Sequence, residues 1–82
     1  IAGYAGKIDV WVYPDKAELG DARLREARLG GAVQRLMALQ SPKLKVHLVW
    51  QISGWNQGVY QDEIHPTAAG TEILANAIAA GL

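Results

Sequence analysis

The sequence contains no cysteine, and it has no excess charge of either sign. Without cysteine the 82-residue chain has no disulfide framework, no thiolate ligand for zinc and no cysteine nucleophile. Its 8 Lys and Arg balance 8 Asp and Glu, so the net charge is zero when the histidines are neutral. Proteins that bind nucleic acid by neutralising phosphates carry surplus positive charge, so this balance argues against nucleic acid as a partner.

Long apolar runs are missing as well. No stretch approaches the roughly 18 consecutive apolar residues of a membrane span, so we expect no membrane span. Half of the residues are nevertheless hydrophobic, which is too many for a disordered chain. The composition therefore indicates a globular domain or a piece of one.

The two ends of the sequence favour a piece. Residues 1–6 contain neither an initiator Met nor the basic segment and apolar core of a signal peptide. A helical pattern closes the other end with Gly81 and Leu82. We therefore expect residues 1–82 to form one partial domain that continues on its N-terminal side or is completed by another chain.

Two strands are predicted from β-branched and aromatic runs. Residues 8–13 alternate aliphatic and aromatic side chains and stop at Pro14, and residues 45–52 show a second alternating pattern. Both faces of the first strand carry apolar side chains, which is typical of a sheet covered on both sides.

Helical patterns follow each strand. Leucines and valines recur at helical spacing over residues 21–40, and a second pattern covers residues 67–80. Asp15 and Glu18 have the spacing of a capping box. A strand, a helix of this length and a second strand predict parallel pairing. Two parallel strands alone would leave both sheet edges unpaired, so we expect further strands from elsewhere.

The segment Asp62-Glu63-Ile64-His65-Pro66 carries the chemistry. Its aspartate precedes its histidine by three residues, just before the last predicted helix. A carboxylate at this spacing reaches Nδ1 of the imidazole, fixes the tautomer and leaves Nε2 available as a general base. The alternative is a structural one, in which Asp62 caps the helix and His65 is a surface residue.

The same segment resembles the last sequence block of the SGNH (GDSL-type) esterase and lipase superfamily, which reads Asp-x-x-His-Pro and precedes a C-terminal helix. The continuation to Gly70 is also similar. The resemblance implies the C-terminal portion of a three-layer, parallel-sheet, flavodoxin-like α/β fold, in the order β-α-β-loop-α. It also implies an ester substrate, with His65 as the catalytic base, Asp62 as its orienting partner and no cofactor.

Three other blocks of that superfamily have no match here. The Gly-Asp-Ser nucleophile block and the oxyanion glycine are missing, and Tyr13-Pro14-Asp15-Lys16 stands where Gly-x-Asn-Asp is expected. The serines, Ser41 and Ser53, lack the nucleophile context. We therefore expect another segment or chain to supply the serine. A non-catalytic SGNH-like subunit that completes a sheet with a partner remains the second hypothesis.

Other polar and aromatic residues have simpler interpretations. His47 alternates within a strand and is interpreted as a packed or partly exposed residue. His47 and His65 with one carboxylate could bind a metal, but nothing fixes their spacing, and we predict no metal site. Trp50 and Trp55 either line an apolar pocket or, more commonly, pack in the core. Glu63 is interpreted as a solvated neighbour.

Overall fold

The computed structural model of the chain describes residues 6–81. The helices and strands within them are β1 (Ile8–Val12), α1 (Lys16–Gly20), α2 (Ala22–Ala38), β2 (Leu44–Leu48) and α3 (Ala68–Ala79). Single 3₁₀ turns cover Val49–Gln51 and Gln57–Val59. This part of the chain is a small α/β unit, which confirms the predicted class. The expectation that the domain is partial stays a prediction.

The two strands pair in parallel, as predicted. The register places Ile8 opposite Leu44 and Trp11 opposite His47. Successive side chains of a strand point to opposite faces, so the aliphatic residues of β1 share one face. An open cavity of about 480 Å³ lies between this face and the end of α2; its lining includes Ile8, Val10, Leu36, Leu39 and Leu44.

Aspartates begin the first two helices. Asp15 caps α1, because its Oδ1 accepts the Glu18 backbone N–H at 2.7 Å while Glu18 Oε1 accepts the Asp15 N–H at 2.9 Å. This is the predicted capping box. Asp21 caps α2, which agrees with the helical pattern to within two residues. No helix of residues 6–81 is long and apolar enough to cross a membrane.

The second strand is shorter than predicted. The pattern indicated residues 45–52, but β2 ends at Leu48 and the chain enters a 3₁₀ turn that fully buries Val49. The reason is the length of its partner: β1 ends at Val12, two residues before Pro14. Residues beyond Leu48 therefore have no strand to pair with, and the alternation there belongs to a turn.

The core lies beyond the ends of the two strands. Its buried residues are Val49, Trp55, Val59 and Tyr60, and the partly buried hydrophobic residues packed against them are Trp11, Tyr13, Leu19, Ile52, Ile73 and Leu74. The Trp55 indole donates to the Tyr60 hydroxyl at 3.2 Å, and that hydroxyl donates to the Pro14 carbonyl. Burial raises the pKa of Tyr60 to about 12, so the hydroxyl keeps its proton as a donor.

Trp50 and Trp55 both pack against other parts of the chain. Trp55 is 6% exposed and belongs to the core, so for this residue core packing, rather than the lining of a pocket, is confirmed. Trp50 is half-buried beneath the Arg25 guanidinium, which lies 5.2 Å from its ring centre. This distance is within the range of a cation–π contact.

Gly70 allows α3 to pack closely on the core. A Cβ at this position would lie 2.7 Å from the Val59 carbonyl oxygen and 2.9 Å from the Val59 Cβ. Any side chain would therefore push the first turn of α3 away from the backbone of residues 57–59.

We expect Gly70→Ala to lower the free energy of unfolding by about 1–3 kcal/mol, because the new methyl group overpacks against backbone. Gly31→Ala is the matched control: this helical glycine is exposed, and a Cβ there meets Arg35 Nη1 at 3.7 Å. It should gain about 0.5–1 kcal/mol from helix propensity. Urea denaturation followed by circular dichroism measures both changes. A Gly70→Ala variant as stable as the parent would contradict the close contact.

Candidate functional site

The candidate site lies on a short closed loop before α3. The Thr67 N–H donates to the Val59 carbonyl at 2.7 Å, and the Gln61 N–H donates to the His65 carbonyl at 2.9 Å. Tyr60 and Pro66 form an isolated antiparallel bridge at its base. Backbone hydrogen bonds therefore fix the residues between them.

Asp62 and His65 are in direct contact on this loop. Nδ1 of His65 lies 2.9 Å from Oδ2 and 3.1 Å from Oδ1 of Asp62. Oδ1 also accepts the backbone N–H of His65 at 2.6 Å and that of Ile64 at 2.9 Å. These N–H groups, that of His65 foremost, hold the pKa of the Asp62 carboxyl below its usual value. The structure thus brings together the two residues named from the sequence, and their catalytic role remains a prediction.

The Asp62–His65 pair lies at an open surface. The His65 side chain is 61% exposed and the Asp62 side chain 53%. Cavities of about 480, 370 and 320 Å³ are lined by other residues. Solvent screens the interaction between two side chains as exposed as these, so the backbone of the loop, rather than the pair, sets this geometry.

Glu63 fastens the loop to the start of α1. Its carbonyl accepts the Lys16 N–H at 2.8 Å, and its Oε1 accepts the Ala17 N–H at 2.8 Å. The first N–H groups of a helix have no partner within the helix, so these two bonds satisfy donors that need one. Glu63 is exposed, in agreement with its interpretation as a solvated neighbour, but that interpretation missed its contact with α1. No local pattern signals this contact, because the bonded residues lie 46 positions apart.

Neither serine reaches His65 through a hydrogen bond among the described residues. Ser41 Oγ accepts the N–H groups of Lys43 and Leu44, both at 3.2 Å, which is a turn-forming role. Ser53 is exposed and lines two smaller cavities that include Ile52. The expectation that the nucleophile comes from elsewhere stays a prediction.

His47 forms a second carboxylate–histidine pair, which the sequence interpretation missed. Its Nε2 lies 2.8 Å from Asp9 Oδ1, and its ring stacks on Trp11 with centres 4.2 Å apart. The strand register brings these three residues together, and that register could not be read before pairing was known.

The two histidines do not share a metal site. His47 bonds to Asp9 and His65 to Asp62, so each imidazole has its own carboxylate. Residues 6–81 contain no group of three or more His, Asp or Glu side chains arranged to hold a metal ion.

Comparisons with known proteins give no assignment. No family model, no curated protein and no solved structure matches the chain.

The hydrogen bonds predict opposite tautomers for the two histidines. At a pH where both imidazoles are neutral, we expect His65 to carry its proton on Nδ1 and His47 on Nε2, because those nitrogens face carboxylates. Long-range ¹⁵N–¹H correlation spectra distinguish the two forms. Asp62→Asn should shift only His65 towards the other tautomer, and Asp9→Asn only His47. A wild-type His65 protonated on Nε2 would contradict the geometry.

Substitution of Glu63 tests the attachment of the loop. We expect Glu63→Ala to speed hydrogen exchange of the Ala17 amide by roughly 2–10-fold, since one net hydrogen bond is worth about 0.5–1.5 kcal/mol. Glu63→Gln keeps an acceptor oxygen and should retain most of the protection. Glu72→Ala, on the exposed side of α3, is the control for loss of a carboxylate. Equal exchange in Glu63→Ala and Glu72→Ala would show that the bond contributes nothing.

Proposed function

We propose that this chain supplies the general base and its orienting acid to a serine ester hydrolase of the SGNH type. The observation that carries the proposal is the contact of His65 Nδ1 with both oxygens of Asp62, on a loop closed by backbone hydrogen bonds. The loop is the Asp-x-x-His-Pro block whose resemblance to that superfamily led to the same two residues.

The arrangement suits acyl transfer in two stages. As a serine Oγ attacks the ester carbonyl, His65 Nε2 takes its proton, and the Asp62 carboxylate stabilises the imidazolium. The imidazolium then gives this proton to the leaving alcohol, which leaves an acyl-serine. In the second stage Nε2 takes a proton from water, whose oxygen attacks the acyl carbon, and returns it to the serine as the acid leaves.

The serine and the oxyanion donors belong to polypeptide outside the described residues in this proposal. Donors aimed at the developing oxyanion are worth about 3–4 kcal/mol each, so the chain by itself is not expected to be active. Ester substrate and nucleophile-bearing segment are therefore the two partners we propose.

The proposal places residues 1–82 in the C-terminal portion of a three-layer, flavodoxin-like sheet. Support comes from the parallel pairing of β1 and β2 and from the position of the loop before the last helix, α3. The site loop is bonded to the turn that follows β1, and such turns at the carboxyl ends of parallel strands carry the sites of α/β sheets.

The second candidate function is that of a non-catalytic subunit. The exposure of the pair and the lack of a hydrogen bond from His65 to either serine favour it. In this alternative the Asp62–His65 contact only shapes the entry to α3.

A serine-directed fluorophosphonate probe separates the two functions. On the complete natural polypeptide, with any partner chain, we expect one serine to be labelled and identified by mass spectrometry. His65→Ala and Asp62→Asn should each slow labelling by about 10²–10⁴-fold, which is the usual contribution of a positioned general base. His47→Gln is the matched control and should label at the parental rate, because His47 bonds to a different carboxylate.

Two outcomes would contradict the hydrolase. One is no labelled serine in the parent protein. The other is labelling that His65→Ala leaves unchanged, since the serine would then depend on another base. Either result favours the non-catalytic subunit.

A further inference from the structure

The two outer edges of the sheet differ in their hydrogen bonding. In a parallel pair, alternate residues of each strand turn their backbone groups to the partner. The Ile8 N–H donates to the Lys43 carbonyl at 2.8 Å, and the register then turns the backbone groups of Val10 towards β2. Asp9 and Trp11 turn theirs to the outer edge of β1.

The outer edge of β2 is covered by the residues that precede it. Leu44 exchanges backbone hydrogen bonds with Ser41, at 3.0 and 3.2 Å, and its N–H also reaches Ser41 Oγ. The next outward N–H, that of Val46, donates to the Gln40 side chain at 3.0 Å. These bonds occupy three of the backbone groups that a further strand on β2 would need, namely the N–H and C=O of Leu44 and the N–H of Val46.

The outer edge of β1 has no such cover within residues 6–81. No described residue outside the sheet bonds the backbone groups of Asp9 or Trp11. The strand contains no proline, and its one charged side chain, Asp9, bonds to His47 of the neighbouring strand. Ile8, Val10 and Val12 are β-branched and partly buried on one face of β1. Trp11 is partly buried on the other face, so apolar side chains lie on both faces, as in an interior strand.

We propose that a further parallel β-strand, from polypeptide outside the described residues, docks on the outer edge of β1 and not on that of β2. The strand would continue the existing β1–β2 pairing and bond the backbone groups of Asp9 and Trp11. The proposal rests on the proposed function in taking this strand from the segment that carries the serine.

A strand in this position would end beside the candidate site. The carboxyl ends of parallel strands meet at one edge of a sheet, and β1 leads there into the turn whose Lys16 and Ala17 N–H groups bond to Glu63. A residue that follows the docked strand therefore lies at the same end of the sheet as the loop of His65.

Hydrogen–deuterium exchange, resolved to single amides by NMR, tests the edge on the complete natural polypeptide. We expect the amides of Asp9 and Trp11 to exchange at least about 100-fold more slowly than in an unstructured peptide, because both bond to the docked strand. Amides of Asp9 and Trp11 that exchange as in an unstructured peptide would overturn the proposal.

A matched pair of substitutions isolates the backbone contribution. Asp9→Ala and Asp9→Pro both lose the carboxylate, but only the proline also loses the outward N–H. We expect the Trp11 amide to stay protected in Asp9→Ala and to lose protection in Asp9→Pro. Gln40→Ala should expose the Val46 amide and leave Trp11 protected; the reverse result would assign docking to β2 and overturn the proposal.

The remaining outcomes distinguish the docked strand from self-association of the chain and from the proposed hydrolase function. Protection of Asp9 and Trp11 that rises with protein concentration would assign the edge to a second copy of the chain, which overturns the proposed occupant. Protection in a polypeptide in which no serine is labelled keeps the edge assignment and refutes the hydrolase. A labelled serine together with unprotected amides of Asp9 and Trp11 supports the hydrolase and overturns the docked strand.

Discussion

The two hydrogen bonds from the first turn of α1 to Glu63 are the constraint on which the candidate site depends. They join the first turn of α1 to a loop that precedes α3, so two distant parts of the sequence are in direct contact. The Asp62–His65 pair is too exposed to hold itself in place. The backbone around it must do so, and Glu63 bonds that backbone to the first turn of α1.

Two carboxylate–histidine pairs in one small unit show what makes such a pair available for chemistry. His47 is 17% exposed, stacks on Trp11 and uses Nε2 for its carboxylate, so it serves the packing of the two strands. His65 uses Nδ1, and its side chain is 61% exposed. The same two functional groups thus differ in which nitrogen remains available and in how solvent reaches it.

Sequence patterns correctly predicted the features that depend on residues close together in the chain. The capping box of Asp15, the start of α2 and the contact of Asp62 with His65 involve residues within three or four positions of one another. The end of β2, the role of Glu63 and the Asp9–His47 pair involve partners that are far apart in sequence. These were missed or wrong because they depend on strand length and register, which no single segment encodes.

The position of the core links the order of the candidate site to that of the outer edge of β1. The buried cluster around Val49 and Tyr60 lies beyond the strand ends, whereas the aliphatic face of the sheet borders an open cavity. The aliphatic face of the sheet is therefore only partly covered, and a two-stranded sheet has marginal stability in water. A strand added to β1 would extend that face, cover donors and acceptors now without partners, and stiffen the turn that holds Glu63. Order at the edge of β1 and order at His65 should consequently rise together.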